Sequence, residues 1–498
     1  MGFSEKLIVE ATGRAGGICM AWSNALKVEV LEFNSHIIAI TIHDNQCSWS
    51  LIGFYGPPYK TKRRKAWENL YALLESLHGP RICFGDFKEM VDSIEKEGGR
   101  IGCSSAPNYL KNILFDLGAI DLGFSSNKFT WTNKRWGPNC IKERLDRGIA
   151  NISWTLAFPE ATILHLGVIK FNHAPILLDT NPSNPFTSRP FRFEAAWARD
   201  SGCYRVIEEA WKENVRGPDC YVLCKKQQRL ANDLRKWNKK VFGKCKWRII
   251  DLTEQIEEIQ MLKPSEKNAL AEVRLQNELS EWLHRSEIMW RQKSREVWLK
   301  DGDRNSRFFH LSTIIRRRRN STNAIKANSR DWITSKKEIS KHPVYKLREL
   351  FTEEILDFPT EMENLISSII YAEDNASLCT LPSQQEIKST LFQMQDQKAP
   401  GPNGLPTHFY KKYWKIVGSS IIKAVQSFFT SGKILKEVNS TLIALVPKVP
   451  NPSNFNHFRP ISLCNVVYKV ISKLIVSRLR PLLHKMISPY QSTFIPGR

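Results

Sequence analysis

The chain has 498 residues, 42% of them apolar, and carries a formal net charge of +23. This length allows about two to four domains, and this apolar content excludes a mostly disordered chain. Its apolar runs stay shorter than the roughly 18 residues that a membrane span needs, and the N-terminus has no basic-then-apolar signal. The sequence thus predicts neither a membrane protein nor a secreted one. The positive charge and fifteen tryptophans favour a polyanionic partner, and among polyanions they favour nucleic acid.

The eleven cysteines are scattered along the chain without CxxC pairs. Cys220 and Cys224 are the closest two, and no set of histidines lies beside them at zinc-finger spacing. This distribution is typical of reduced thiols, and it predicts a protein of the nucleus or the cytoplasm.

Residues 1–180 alternate between strand-like and helix-like segments. The predicted strands are Ile18–Trp22, Val28–Phe33, His36–His43, Ser48–Tyr55, Ile82–Phe84 and Ile176–Leu178, and the predicted helices are 62–78 and 106–118. Polar residues follow several of the strand ends. This pattern predicts a layered α/β domain with its site at one rim of the sheet.

The segment Arg81–Glu89 places a carboxylate directly after a buried strand. Gly85 ends the apolar run Ile82–Phe84, and Asp86 follows at once. A carboxylate held at the end of a rigid strand suits a divalent metal or a proton transfer beside a phosphate. Asp is equally common where a strand simply turns, and the segment alone does not separate these two interpretations.

The middle of the chain changes character. Residues 181–190 are rich in Pro, Asn, Ser and Thr, which predicts an interdomain linker. Residues 191–380 form a predicted helical connector, in which 221–250 hold ten Lys or Arg against one Asp. An ordinary helix pair with a solvated basic face is one interpretation. The excess of positive over negative charge favours the second interpretation, a helical arm over 221–330 that faces nucleic acid.

Two further features of the connector concern its helices and its arginines. Apolar residues at helical and heptad-like spacing between Leu252 and Met289 predict amphipathic helices, interrupted at Pro264. The run Arg316–Arg319 fits either a phosphate contact or a nuclear signal, and it is too short to choose between them.

Residues 381–498 combine predicted helices at 383–397, 407–416, 418–431 and 467–481 with a strand at Thr441–Val446. The segment Lys398–Gly404 contains two prolines and two glycines, which predicts a rigid turn-rich loop. The chain stops at Gln491–Arg498 without a capping segment, and we expect a longer domain to have been cut there.

These segments together resemble a plant-type non-LTR (LINE-like) retrotransposon polyprotein. The N-terminal part is similar to the endonuclease/exonuclease/phosphatase family at the motifs Gly53–Pro58, Gly85–Phe87, Lys128–Trp131, Arg144–Arg147 and His173–Pro175. The C-terminal part is similar to the start of a reverse transcriptase at Lys398–Pro402, Phe409–Trp414, Ile443–Lys448, Phe458–Asn465 and Gln491–Arg498. Between them, Trp298–Asp303 and Phe308–His310 resemble the connecting region of such polyproteins.

The resemblance implies an α+β multidomain fold. It implies an α/β-sandwich over 1–180 that lacks its first strand, the linker at 181–190, the helical basic connector at 191–380, and partial reverse-transcriptase fingers and palm at 381–498. The implied activities are Mg²⁺-dependent DNA nicking and RNA-directed DNA synthesis, with DNA and RNA as partners. Oligomeric state stays open.

The resemblance also implies the residues of a nuclease site. Asp86 matches the metal-binding catalytic Asp, His173 the catalytic His and Asp146 a second acidic site residue, whereas Tyr55 and Thr130 match residues that line the phosphate pocket. In this chemistry a carboxylate-bound Mg²⁺ stabilises charge on the phosphate while a His–Asp pair handles the attacking water.

Three departures from the family pattern predict little or no cleavage. Lys88 stands where the family has Asn, and Asn172 stands where it has the Asp that precedes the catalytic His. Asn can hydrogen-bond an imidazole but cannot stabilise imidazolium by charge. The family's first strand and its metal-binding Glu would lie upstream of Met1. We also expect the Lys88 ammonium to lie beside Asp86 and to mimic part of the charge of a metal.

The reverse-transcriptase resemblance implies that Lys448 and Arg459 contact the triphosphate of an incoming nucleotide, because basic groups neutralise phosphate charge. It places Arg498 in the segment on the template side. The paired palm aspartates would follow Arg498, so we expect no polymerisation by this chain. Three hypotheses remain: a truncated retroelement enzyme, a nucleic-acid-binding module that acts through 221–330, and an unstable translation product.

Overall fold

The computed structural model describes residues 3–11, 17–44, 47–99, 107–167, 171–182, 190–243, 245–295, 306–327, 332–352, 369–449, 451–488 and 490–491. The chain divides into two compact units. We call the first the N-terminal unit; it contains Met1–Phe186, His310–Thr352 and Val446–Arg459. The second, the helical unit, contains Thr187–Phe309, Glu353–Leu445 and Pro460–Arg498.

The N-terminal unit begins with strands and two covering helices. These elements are β1 (Glu5–Val9), β2 (Ile18–Trp22), β3 (Lys27–Phe33), β4 (Ile37–His43), β5 (Ser48–Tyr55), α1 (Lys60–Ser76), β6 (Arg81–Asp86), β7 (Lys96–Glu97) and α2 (Tyr109–Asp116). Short strands and one helix follow: β8 (Ile120–Asp121), β9 (Ser125–Ser126), β10 (Trp131–Thr132), β11 (Lys142–Glu143), β12 (Asp146–Ala150), α3 (Ile152–Ala157), β13 (Thr162–His165) and β14 (Ile176–Asp179).

A six-stranded sheet in the order β3-β4-β5-β6-β12-β8 forms the centre of this unit. Both faces of the sheet are buried at β4, because alternate residues of this strand enter different cores. Ile37 and Ala39 pack with Trp67 and Leu70 of α1, whereas Ile38 and Ile40 belong to a separate cluster on the opposite face. Residues i and i+2 of a strand share a face, so a continuous apolar run such as Ile37–Ile40 is typical of a strand covered on both sides.

Elements that come much later in the chain complete the N-terminal unit. The middle segment carries the end of α8 (Ser306–Asn320), the paired strands β15 (Ile325–Lys326) and β16 (Trp332–Ile333), and α9 (Lys336–Leu350). The side chain of Trp332 donates to Asn127 Oδ1 at 3.0 Å, and the Lys326 amide donates to the carbonyl of Ser453 at 2.6 Å. These contacts hold both later segments to the N-terminal sheet region.

The helical unit has one large apolar core. It contains α4 (Ser201–Lys212), α5 (Asp219–Val241), α6 (Cys245–Gln260), α7 (Glu266–Ser294), α10 (Ala372–Cys379), α11 (Gln384–Phe392), α12 (Thr407–Lys412), α13 (Trp414–Ser431), α14 (Lys436–Asn439), α15 (Val466–Leu479) and α16 (Leu483–Met486). Strands β17 (Thr441–Pro447) and β18 (Phe458–Cys464) pair with each other. Fully buried side chains of α5, α13 and α15, such as Leu230, Ile421 and Leu474, meet in the core.

The predicted loop Lys398–Gly404 is a rigid part of the helical unit. Gly404 has a φ of +73° and an added Cβ there would lie 2.0 Å from the Phe191 carbonyl oxygen, so only glycine fits. The Asn403 amide contacts Gln227 Oε1 and the Tyr410 hydroxyl, both at 3.2 Å. These bonds satisfy polar groups inside the core, and they give Asn403 a structural role.

The predicted strands β2, β4 and β5 and the predicted helix α1 are confirmed within one or two residues. The helix predicted at 418–431 is confirmed as α13, which begins four residues earlier, at Trp414. The predicted boundaries at 190 and 380 are wrong for two stretches. The structure places His310–Thr352 and Val446–Arg459 in the N-terminal unit, whereas the sequence assigned them to the connector and to the polymerase part. The connector is also not wholly helical, because Ile325–Lys326 is a strand. Trp298–Asp303 and Arg498 lie outside the described residues.

None of the helices in the part of the chain that the structure describes is long and apolar enough to cross a membrane.

Candidate active site at the sheet edge

Three neighbouring strands bring the predicted site residues together. Tyr55 on β5 is the register partner of Asp86 on β6, and Asp86 is in turn the register partner of Asp146 on β12. Since paired residues on adjacent strands lie side by side, the register alone aligns these three positions at one edge of the sheet. The prediction of a site at the rim therefore matches the geometry of the strands.

Gly85 allows β6 to reach this edge beside β5. Its φ is +149°, and an added Cβ would lie 2.1 Å from the carbonyl oxygen of Phe54. No side chain fits such a close backbone approach. The prediction that Gly85 ends the strand is wrong, because β6 continues through it to Asp86.

His173 joins the site from a loop that is tied to β10. Trp131 forms a β-bridge with His173, and the Ala174 amide donates to the carbonyl of Thr130 at 2.6 Å. The imidazole Nδ1 lies 2.9 Å from Asp146 Oδ2. A carboxylate in this position orients the ring and favours the tautomer with the proton on Nδ1.

Thr130 has a structural task that the resemblance did not imply. Its side chain is fully buried, and its hydroxyl accepts hydrogen bonds from the amides of Leu145 and Asp146, both at 3.0 Å. The hydroxyl thus fixes the start of β12. We infer that Thr130 positions Asp146, which in turn holds His173.

The structure corrects the expected partner of the histidine. Asn172 is exposed, and its backbone carbonyl accepts a hydrogen bond from the Thr132 amide at 3.0 Å. The group that holds the ring is the carboxylate of Asp146, 27 residues earlier in the chain. The substitution at 172 therefore leaves the His–carboxylate pair intact, and the expectation that Asn172 would weaken the pair is wrong for this geometry.

Lys88 fills the space between Asp86 and His173. Its Nζ lies 2.6 Å from Asp86 Oδ2 and 2.9 Å from His173 Nε2, and 5.8 Å from the centre of the Tyr55 ring. The side chains of Lys88 and Asp86 are 18% and 13% exposed, so this ion pair is largely screened from water. The expectation that the ammonium would lie beside Asp86 matches these distances.

The backbone of Lys88 is in an uncommon conformation. Its φ is +53°, in the left-handed region, and its amide donates to Asp86 Oδ1 at 3.1 Å. Asn adopts this region more readily than a long side chain does. The local turn therefore suits Asn, and substitution of Lys88 by Asn is compatible with the fold.

The charge state of Asp86 reflects its surroundings. Burial, together with repulsion from Asp146, raises the pKa of Asp86 above its ordinary value, and the hydrogen bond and charge of Lys88 act against this rise. The Lys88 ammonium is thus the main nearby charge that keeps the carboxylate ionised.

A metal was expected at Asp86. Asp86, Asp146 and His173 each offer a ligand atom, and these atoms lie within 4.8 Å of one another. Asp86 Oδ2 and His173 Nε2 both contact the Lys88 ammonium, however, and His173 Nδ1 contacts Asp146. In this arrangement the cluster does not fit a divalent cation, because the ammonium takes the space and the lone pairs that an ion would need.

A buried ion-pair network stabilises the strand that carries Asp146. Arg147 is fully buried and contacts Glu95 at 2.9 Å and Asp121 at 3.0 Å. Arg144 contacts the same two carboxylates, both at 2.8 Å. Both arginines flank Asp146 in the sequence, so the network anchors the strand that carries it. The Arg144–Arg147 motif is visible in the sequence, whereas nothing local marks Glu95 as its partner.

This network predicts a loss of stability in acid. Burial alone would raise the pKa of Asp121, but Arg144 and Arg147 outweigh it and lower the pKa to about 2. A carboxylate with a lowered pKa stabilises the fold above its unfolded pKa, and this contribution disappears as the pH falls from roughly 4 to 2. We expect Asp121→Asn to remove on the order of 2 kcal/mol of acid dependence, visible as a smaller slope with pH in the hydrogen-exchange stability of peptides from β6 and β12. An unchanged slope would contradict this.

Comparison with known proteins gives one relative along nearly the whole chain. The uncharacterized 149 kDa protein of transposon TX1 from Xenopus laevis is 22% identical over 510 residues, which cover 97% of this chain. This chain is related to a transposon protein. It spans 38% of the length of that relative. No protein-family model matches the chain.

Two solved structures align with about a third of the chain. The endonuclease domain of TRAS1, a telomere-specific non-LTR retrotransposon, is 14% identical, with 35% of this chain and 79% of that one covered and a TM-score of 0.29. Truncated Caenorhabditis elegans TDP2 is 16% identical, with 35% and 74% covered and a TM-score of 0.23.

The remaining predicted residues lie outside the Asp86 cluster. Lys448 and Arg459 are exposed at the two strands of the β17–β18 hairpin, and the Lys448 ammonium donates to the Asn456 carbonyl at 3.0 Å. The basic excess over 221–250 lies mainly on α5 and α6, where some charges are paired, as Arg248 is with Glu278 at 2.9 Å.

Proposed function

We propose that this chain is a fragment of a non-LTR retrotransposon polyprotein whose nuclease-like N-terminal unit is catalytically impaired. Two observations support it: the relation to a transposon protein, which covers 97% of the chain, and the motif resemblance to plant LINE-type elements. The proposal includes the start of a reverse transcriptase over residues 381–498, with Lys448 and Arg459 as phosphate-contacting residues. We propose DNA and RNA as partners, in the nucleus or the cytoplasm.

The contact of the Lys88 ammonium with both Asp86 and His173 carries the proposal of impairment. With the Nδ1 proton directed at Asp146, Nε2 is the atom that would accept a proton from an attacking water. That lone pair instead faces the Lys88 ammonium at 2.9 Å. The same ammonium binds Asp86 Oδ2 at 2.6 Å, so the general base and the carboxylate are both engaged.

The remaining residues of the site have roles consistent with phosphodiester chemistry. Asp146 holds the imidazole, Thr130 holds Asp146, and Tyr55 lies on the strand beside Asp86. We propose that Mg²⁺ supported hydrolysis in the ancestral site. In this chain Lys88 supplies the positive charge instead, and one fixed positive charge cannot both neutralise a phosphate and activate a water as a divalent ion does.

Supercoiled-plasmid nicking tests this proposal. The full chain is the right sample, because the N-terminal unit includes His310–Thr352 and Val446–Arg459, which residues 1–190 alone would lack. We expect the unmodified chain with Mg²⁺ to nick no faster than His173→Ala. Loss of a general base typically costs about 10²–10⁴-fold, so nicking that depends on both Mg²⁺ and His173 would overturn the proposal of impairment.

The double change Lys88→Asn, Asn172→Asp completes this experiment. Nicking by the double variant but not by the unmodified chain would place the defect at these two positions and would support the role of Lys88. A single Lys88→Asn variant is the matched comparison, since the structure gives Asn172 no contact with the imidazole. We therefore expect the single and double variants to behave alike.

The second candidate function is nucleic-acid binding without catalysis. It is favoured by the ten Lys or Arg between residues 221 and 250, and it needs no working nuclease site. Binding through phosphates weakens steeply with salt. A gel-shift series from low to high salt, with Lys88→Asn as a control that leaves 221–250 unchanged, separates this function from the nuclease site.

A further inference from the structure

A small cavity in the N-terminal unit lies away from the Asp86 cluster. Its volume is about 250 Å³. It is bounded by the segment from Ile120 to Ser126, by the loop from Pro159 to Ile163, and by the end of α8 with the residues that follow it. Arg318, in the four-arginine run that the sequence analysis singled out, lines this cavity.

Arg318 has donors that the described residues do not satisfy. Its Nη2 donates to the carbonyl of Phe158 at 2.8 Å, but Nε and Nη1 are buried and have no hydrogen-bond partner among the described residues. Arg144 and Arg147 also have an unpaired Nε, yet each binds two carboxylates through its other nitrogens. Arg318 forms no such ion pair within the described ranges. A buried guanidinium without a carboxylate partner is costly, so Arg318 needs a bound anion more than Arg144 and Arg147 do.

The carboxylates around the cavity are paired with other arginines, so Arg318 is available to bind an external anion. Glu160 is paired with Arg317 at 2.9 Å, and Asp121 is held by Arg144 and Arg147. Burial lowers the pKa of Arg318 to about 10, so the group is still charged at neutral pH. Arg319 also lines the cavity, which makes the local field positive.

A larger groove adjoins the cavity and indicates which anion it takes. The groove has a volume of about 1170 Å³ and shares Phe124, Ser126 and Asn451 with the cavity. Its lining combines basic and aromatic side chains, including Trp136, which is 93% exposed, and Trp332, over whose ring the Lys326 ammonium lies at 5.1 Å. Exposed aromatic rings beside cations are the usual means of binding unpaired bases.

We propose that the cavity binds a backbone phosphate of a single-stranded nucleic acid through Arg318, with the neighbouring bases lying in the aromatic groove. Guanidinium N–H groups form charge-assisted hydrogen bonds with phosphate oxygens, and Nε and Nη1 are the two nitrogens of Arg318 that lack a partner among the described residues. The groove supplies stacking surfaces for bases, which a free phosphate ion would not use. This proposal stands apart from the nuclease proposal, because it involves neither Lys88 nor His173.

Fluorescence anisotropy with a labelled oligothymidylate of about 12 nucleotides tests it on the full chain. We expect Arg318→Met to weaken binding about 10-fold or more, the usual range for a lost charge-assisted hydrogen-bond pair. Arg348→Met is the matched control, since Arg348 is exposed on α9 and lines neither space. Its binding should stay within about 2-fold. Trp136→Ala should also weaken binding about 5-fold or more.

Two further measurements separate the alternatives. An abasic oligomer of equal length should bind more weakly than oligothymidylate, and inorganic phosphate alone should compete only at far higher concentration; equal binding of the abasic oligomer would overturn the strand assignment. In hydrogen exchange without ligand, Arg318→Met should not lower the protection of peptides from the N-terminal unit, because it removes an uncompensated buried charge. Lowered protection with unchanged oligonucleotide affinity would mean that Arg318 is only structural, and equal losses of affinity in Arg318→Met and Arg348→Met would reduce the effect to general charge. Either result overturns the proposal.

Discussion

Replacing Arg147 with Met is expected to lower the free energy of unfolding of the N-terminal unit by about 3–5 kcal/mol. Arg147 is fully buried and forms ion pairs with Glu95 and Asp121, and its Nη2 also donates to the carbonyls of Glu89 and Arg144. Met replaces the apolar stem of the side chain but leaves buried carboxylate oxygens and carbonyls without a donor. The cost comes mainly from these stranded acceptors, not from the loss of attraction itself.

Hydrogen exchange in increasing denaturant is the suitable measurement, because the chain contains two units and a single global midpoint would mix them. Peptides from β6 and β12 should lose protection in Arg147→Met, while peptides from the helical unit should keep theirs. Arg135→Met is the control, since Arg135 is exposed in the same unit, and it should change protection by less than about 0.5 kcal/mol. Equal protection in the two variants would show that the network contributes no stability.

Replacing Lys88 with Asn is expected to raise the affinity of the Asp86 cluster for Mn²⁺ at least about 100-fold. Two unit charges 4 Å apart interact by about 4 kcal/mol at an effective dielectric of 20, and the ammonium lies closer than that to both Asp86 and His173. Its removal also frees Asp86 Oδ2 and His173 Nε2 as ligands. Asn suits the left-handed backbone at this position, so the variant should fold.

Electron paramagnetic resonance of free Mn²⁺ gives this affinity directly. Lys62→Asn serves as the charge-matched control, because Lys62 is exposed on α1 and its loss should alter Mn²⁺ affinity by no more than about 2-fold. Equal affinity in the unmodified chain and in Lys88→Asn would show that the ammonium does not compete with a cation. It would also remove the main support for the proposal of impairment.

The position of Asp86 was predictable, because it directly follows a short apolar run, whereas Asp146 was implied only by the resemblance to a nuclease family. The sequence could not supply the register that sets them side by side. Asp86 on β6 pairs with Asp146 on β12, and the two residues are 60 positions apart in the chain. The same limit explains the misassigned partner of His173. Adjacent Asn172 was the natural candidate in the sequence, whereas the hydrogen bond forms with Asp146 on another strand.

The domain boundaries failed for a related reason. Composition and motifs change little at His310 or Val446, so nothing local marks the point where the chain joins the N-terminal unit. The deciding contacts are few and specific, such as that of Trp332 with Asn127 and that of Arg317 with Glu160. The same return of the chain places Arg318 at the cavity. The four-arginine run was visible in the sequence, but only the fold shows that its members have different surroundings.

Anomalous diffraction from Mn²⁺-soaked crystals of the full chain tests the central claim most directly, namely that Lys88 occupies the place of a divalent cation. In the unmodified protein we expect no anomalous peak among Asp86, Asp146 and His173, with the Lys88 ammonium bound to Asp86 and His173. The Lys88→Asn crystals should show a peak at that place. A Mn²⁺ peak in the unmodified protein, with the Lys88 side chain displaced, would contradict the claim and would restore the site as a metal-dependent nuclease centre.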